Sequence, residues 1–173
     1  MLFELIATVV AGFAGAGVAL LLNKLVRGRL PRWVVPVAAG CAMIATTIAN
    51  EYGWYGRTVD SLPDGLEVAT TVENKAFFRP WTHVYPFVTR FLAVDVAAIR
   101  TNDALPGQRI VDVYAFGRWA APQKQSVVVD CAGGRRADIT PEAQFADDGS
   151  IQGVAWRDTG PGDPIVQTSC GTG

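Results

Sequence analysis

The side chains able to do chemistry are few and scattered. The chain of 173 residues holds one histidine and three cysteines. His83 stands between Trp81 and Tyr85 with no nucleophile placed beside it by a recognisable motif, so it reads as a structural or interfacial histidine, not a general base. Asp147-Asp148-Gly149 lacks the alternating oxygen ligands and closing Glu of a calcium loop and is expected to be a hairpin turn. Gly133-Gly134 has no helix directly after it and reads as a turn, not a phosphate cradle. Arg135 and Arg136 are expected on opposite faces of one strand, one solvated and one paired. No catalytic set, metal site or cofactor motif emerges. The remaining chemistry belongs to the cysteines, and what they do depends on where the chain puts them.

Two apolar runs, residues 2–22 and 33–50, decide that placement. At 1.5 Å rise per residue each covers most of a hydrocarbon core of roughly 30 Å. The connector between them carries Lys24, Arg27, Arg29 and Arg32 and no acid. Basic residues are retained on the cytoplasmic side, so this pattern predicts a transmembrane hairpin: helices over about 2–23 and 33–52, a cytoplasmic loop 24–32, and both termini outside. Glu4 and Glu51 fall at the outer ends, where carboxylates reach water. Trp33 marks one interface of the second helix, and Tyr52, Trp54 and Tyr55 mark the other. A cleaved signal peptide would need a positive leading segment and a polar chain after it, whereas a second apolar run follows here. Residues 1–56 are thus the anchor, with the lipid bilayer as its first partner.

Small residues recur at helical spacing in both runs. Ala7, Ala11, Gly15 and Ala19 form a stripe on the first helix, with Gly12 and Ala16 alongside, and Ala38, Ala42 and Thr46 form one on the second. Such stripes let backbones approach and gain dispersion contacts that lipid does not supply. They are expected to hold the hairpin together, and small residues on a further face of helix one leave room for another integral-membrane protein. Pro36 sits in the first turn of the second helix, where a missing N–H costs little. Cys41 lies inside that span and reads as a packing residue, since hydrocarbon disfavours a thiolate.

Residues 57–173 suffice for one domain with its own core. They carry 11 basic and 14 acidic residues, a net charge of −3, which argues against a nucleic-acid partner. Cys131 and Cys170 are the only cysteines there, in the compartment where disulfides persist, so they are predicted to pair. Residues 66–72 read as a strand. The aromatic segment 77–91, with Phe77, Phe78, Trp81, Tyr85, Phe87 and Phe91 around Pro80 and Pro86, reads as a short helix or two turns near the membrane. It is either a plug that closes the sheet or a lid against the bilayer or a neighbouring subunit. Segments 91–99, 109–119, 125–131, 135–139, 151–157 and 165–169 are rich in Val, Ile or aromatics, and turn signals separate most of them. The predicted class is therefore α+β and membrane-anchored: a two-helix transmembrane hairpin followed by a small antiparallel β domain, a meander or partly closed barrel.

Val127-Val128-Val129-Asp130-Cys131, Arg135-Arg136, Phe145 with the turn after it, Trp156 and Cys170 together resemble the surface-adhesin protein E domain of bacterial envelope proteins. The resemblance covers residues 108–170. It implies a small curled sheet, the same cysteine pair and an envelope location, with Phe145 where that family carries Tyr. These features lead to the expectation of a noncatalytic protein of the bacterial inner membrane, its β domain outside the cytoplasm, serving as an accessory or assembly subunit of a larger membrane complex. The alternatives are an adhesin-like or ligand-binding module and, less favoured, a membrane-tethered enzyme.

Overall fold

The computed structural model describes residues 2–75, 79–102, 105–146 and 150–171, and for Pro80 and Trp81 the backbone alone. The chain forms two compact units, Met1–Arg57 and Thr58–Gly173. Two apolar helices come first and a curled antiparallel sheet follows, the predicted α+β order.

Helix α1 spans Leu2–Leu25 and α2 spans Val34–Asp60. Both are long and apolar enough to cross a membrane. At the end of α1 the Gly28 N–H donates to the Asn23 carbonyl at 2.7 Å and the Arg27 N–H to the Lys24 carbonyl at 3.2 Å. This paired closure puts Arg27 itself in the left-handed region, at φ 58°. The Asn23 side chain then accepts the Leu30 N–H, tying the basic connector back to the helix. Helix α2 runs past its expected end at 52 because the apolar run, not the backbone, stopped there. Gly53 and Gly56 lie within it, and it ends where Ser61 and Leu62 donate to Thr58 and Val59 ahead of Pro63.

The helices meet on small residues. A Cβ added at Gly15 would lie 2.7 Å from Ala42 Cβ and 2.8 Å from the Ala38 carbonyl oxygen, and one at Gly12 would lie 3.0 Å from the Met43 side chain. Ala19 is buried, Ala11, Ala38, Ala42 and Thr46 are half-buried, and Ala7 is exposed. Four-residue steps drift by about 40° each on a 3.6-residue helix, so a strict every-fourth stripe rotates off a contact line. Ala7 therefore leaves the seam and Gly12 enters it. Thr46 donates its hydroxyl to the Ala42 carbonyl of its own helix.

The second unit is built on β1 (Leu66–Asn74), β2 (Phe87–Asp95), β3 (Arg100–Thr101), β4 (Gln108–Gly117), β5 (Ala120–Asp130), β6 (Arg135–Asp138) and β9 (Arg157–Asp158). The sheet order is β1-β2-β4-β5-β6-β9, with β3 also on β4, and every pairing is antiparallel. A separate two-stranded ribbon joins β7 (Gln144–Phe145) to β8 (Ile151–Gln152). One sheet face presents Val94, Val111, Val113, Val127 and Val129, and these pack with Ile165 and Val166 of α3 (Pro164–Gly171) into the core.

Helix α3 corrects the expected strand at 165–169. Asp163 Oδ1 accepts the N–H groups of Ile165 and Val166 at 2.9 and 3.2 Å, and Pro164 supplies the first helical position. Ile165, Val166 and Ser169 are then buried along one helical face, a spacing that an apolar reading of so short a run does not separate from a strand. The expected strand 151–157 is likewise broken: its ends join different sheets, and Gly153 between them takes φ 75°. The aromatic segment also divides. A 3-10 turn covers Pro80–His83, while Phe87 and Phe91 belong to β2, which begins earlier than expected.

Candidate functional site

On the face of the sheet opposite α3, a carboxylate sits between two valines of a central strand. Asp112 lies between Val111 and Val113 on β4 and is 5% exposed. Its direct neighbour across the β4–β5 pair is Ser126, whose hydroxyl donates to Oδ1 at 2.6 Å. Lys124 on the same strand reaches Oδ2 at 2.9 Å, and Arg100 on β3 reaches Oδ1 at 3.2 Å. Burial pushes the Asp112 carboxyl up, but the Ser126 hydroxyl, Lys124 and Arg100 outweigh it and hold the group below its ordinary value. The contact with Asp112 in turn raises the Lys124 ammonium, so it stays charged. Tyr114, opposite Lys124 in register, presents its ring 5.7 Å from Nζ. Two cations thus share one carboxylate.

Beside this cluster lies an open cavity of about 140 Å³, lined by Ile110 and Val128 from β4 and β5, Leu105, Phe145 of β7 and Ile151 of β8, with Arg100 and Gln108 among its polar residues. Arg100 pairs in register with Ile110, so one cation serves both the cavity and Asp112. Sequence reasoning missed this constellation, since Asp112, Ser126, Lys124 and Arg100 are dispersed. The available signal was Asp112 itself, a charge at the centre of a strand between two valines.

A second acid, Asp130, closes the β5–β6 turn. Its Oδ1 accepts the N–H groups of Ala132 and Gly133, and its Oδ2 accepts Arg135 Nε at 2.8 Å. Burial acts upward on this carboxyl too, and the Gly133 amide, Arg135 and the Ala132 amide together bring it below its ordinary value. The Arg135 guanidinium stacks 4.8 Å over the Trp156 ring. Gly133-Gly134 is thus the expected turn, with Gly134 at φ 59°. Arg136 is not the solvated partner of a paired Arg135: both are paired, because α3 brings Asp163 Oδ2 to 3.2 Å from Arg136 Nε.

Cys131 and Cys170 form the predicted disulfide, with Cα atoms 5.8 Å apart, and it ties α3 to the end of β5. The bridge closes a loop between residues 39 apart in sequence. His83 is exposed at the end of the 3-10 turn, and Val84 and Tyr85 after it are each 70% exposed. Phe91 is buried and stacks on Phe116, its register partner across the β2–β4 pair, with centroids 4.8 Å apart, so the far end of the aromatic segment belongs to the sheet itself. Phe77 and Phe78, the side chain of Trp81 and the turn expected at Asp147-Asp148-Gly149 lie outside the described residues. Among the described residues no cluster of His, Cys, Asp or Glu could hold a metal ion. Lys24 stands in the last turn of α1, and Arg27, Arg29 and Arg32 follow in the connector. No known protein family, curated protein or solved structure matches the chain.

Proposed function

We propose that this protein is a noncatalytic membrane-anchored subunit that holds a disulfide-stapled β domain on the oxidising side of a bacterial inner membrane and assists a larger integral-membrane complex. One observation carries the reading: the helices bury small residues against each other and turn large apolar ones outward. Phe3, Phe13, Leu20, Leu21 and Ile44 are exposed on helices whose contact seam is Gly12, Gly15 and Ala42. Apolar surface of that extent is covered only by lipid or by another helix. The basic connector favours a cytoplasmic bend, which leaves both termini and the β domain extracytoplasmic.

Crosslinking in native membranes followed by mild-detergent purification should return a stoichiometric integral-membrane partner. A solitary monomer would count against the accessory role. Thiol labelling of intact cells, with and without reductant, checks the address: cytoplasmic protection of the β domain with Cys131 and Cys170 both free would remove it.

A second reading, an envelope binding module of the adhesin-like kind, draws support from the apolar cavity beside Asp112. Under this reading the outer domain takes a ligand while the hairpin serves only as a tether.

A further inference from the structure

We propose that the cavity beside Asp112 is a binding site for a small apolar carboxylate, its ring or branched alkyl body seated between Ile110, Val128, Phe145 and Ile151 and its anionic end on Arg100. The inference rests on the binding-module reading and names the ligand class for it.

Size sets the body of the ligand. A cavity of about 140 Å³ matches the volume that takes one benzene ring in an engineered protein core, so a single ring or a branched four- to five-carbon group fills it. Its inner walls are aliphatic or aromatic: Val128 is fully buried, and Phe145 lies on the rim with 60% of its surface in solvent. An exposed Phe beside buried Val128 and half-buried Ile110 and Ile151 is a wall awaiting contact on its other side.

Charge sets the head. Arg100 and Lys124 are 60% and 52% exposed at their side chains and, among the described residues, share the one carboxylate of Asp112, so these three groups together carry one positive charge. Arg100 spends a single N–H on that carboxylate out of the five its guanidinium offers. The fork that remains suits a planar carboxylate, which it can hold by two parallel bonds. Asp112 fixes the fork: Ser126 holds the carboxylate from across the strand pair, so Arg100 is oriented before a ligand arrives. A neutral ligand of equal shape gains the walls but forgoes the head.

The test uses the full chain in lipid nanodiscs with labelled Ile and Val methyl groups, titrated with phenylacetate and, separately, with the isosteric neutral phenylacetamide. Phenylacetate should shift the methyl signals of Ile110, Val128 and Ile151 with saturation below concentrations on the order of 10 mM, and at least tenfold more tightly than the amide. Arg100→Gln should abolish that tenfold preference by weakening phenylacetate at least tenfold more than it weakens the amide. Because Arg100 also supports Asp112, Phe145→Ala provides a second variant at an exposed position, and it should weaken both probes equally. Equal affinity of the two probes would overturn the carboxylate assignment and leave a binding module in place. Absence of any shift at the three methyl groups would overturn both the assignment and the binding-module reading.

Discussion

Removing the Asp163 side chain should loosen the β domain by more than a helix cap alone accounts for. This carboxylate has two duties. Oδ1 accepts the N–H groups of Ile165 and Val166, and Oδ2 is the counter-charge of Arg136 at 3.2 Å. Loss of an N-cap acceptor costs about 1 kcal/mol. Arg136 Nε is shielded from solvent and makes no hydrogen bond even with Asp163 in place, so the carboxylate serves it as a counter-charge, and losing this partly buried ion pair adds roughly 1–3 kcal/mol, between the values for an exposed and a buried pair. Asp163→Ala should therefore cost about 2–4 kcal/mol. Asp163→Asn keeps a capping oxygen and loses only the charge, so it should recover about 1 kcal/mol of that loss. The measurement is native-state hydrogen exchange at the amides of Val111, Val113, Val127 and Val129, whose opening requires the sheet itself to unfold. An increase of roughly 30-fold or more in Asp163→Ala is expected, since each 1.4 kcal/mol is a factor of ten. A change under threefold would refute the reasoning. Equal losses in the two variants would show that the capping bonds contribute nothing and that the ion pair alone matters.

Reduction of Cys131–Cys170, or a Cys170→Ser variant, should lower the stability of the β domain by about 3–4 kcal/mol in the chain-entropy account, read as a shift of the denaturant midpoint between oxidised and reduced protein. Acid should destabilise the domain through Asp112 and Asp130. Both are held below the ordinary value of 3.8, so the unfolded chain takes up protons first, and the stability present above that value is lost as pH falls towards the folded-state values. Asp112→Asn should flatten the pH dependence of the unfolding midpoint below about pH 4, and an unchanged slope would show that the cluster is not linked to folding. In the helical hairpin, Gly15→Leu places side-chain atoms where Ala42 Cβ and the Ala38 carbonyl already stand, so the helices must part, whereas Gly17 has nothing within 4 Å. A crosslink engineered through Gly12→Cys and Met43→Cys in a Cys41→Ser background should form less in Gly15→Leu and be unaffected by Gly17→Leu.

The order of elements was legible from the chain alone because long-range packing does little to decide it. An apolar run of membrane length has few alternatives to helix, since unsatisfied backbone groups are costly in lipid, and the connector's four basic residues separate the two runs. Short runs rich in Val, Ile or aromatics between clear turns likewise specify strands, as in residues 109–117 and 125–130. The cysteine pair needed only a count and the expectation of an oxidising compartment.

Tertiary structure alone decided the rest. Residues 165–169 are equally apolar as helix or strand, and they become a helix because the Asp163 cap, Arg136 and the valine face of β4 and β5 converge on it. The contact seam of α1 and α2 depended on which residues face the partner helix, a matter of rotation that moved Gly12 in and Ala7 out. Above all, the cluster around Asp112 joins side chains from three strands whose positions run from Arg100 to Ser126. Local propensity carries no record of strand register, and register is what sets Ser126 opposite Asp112 and Arg100 beside Ile110.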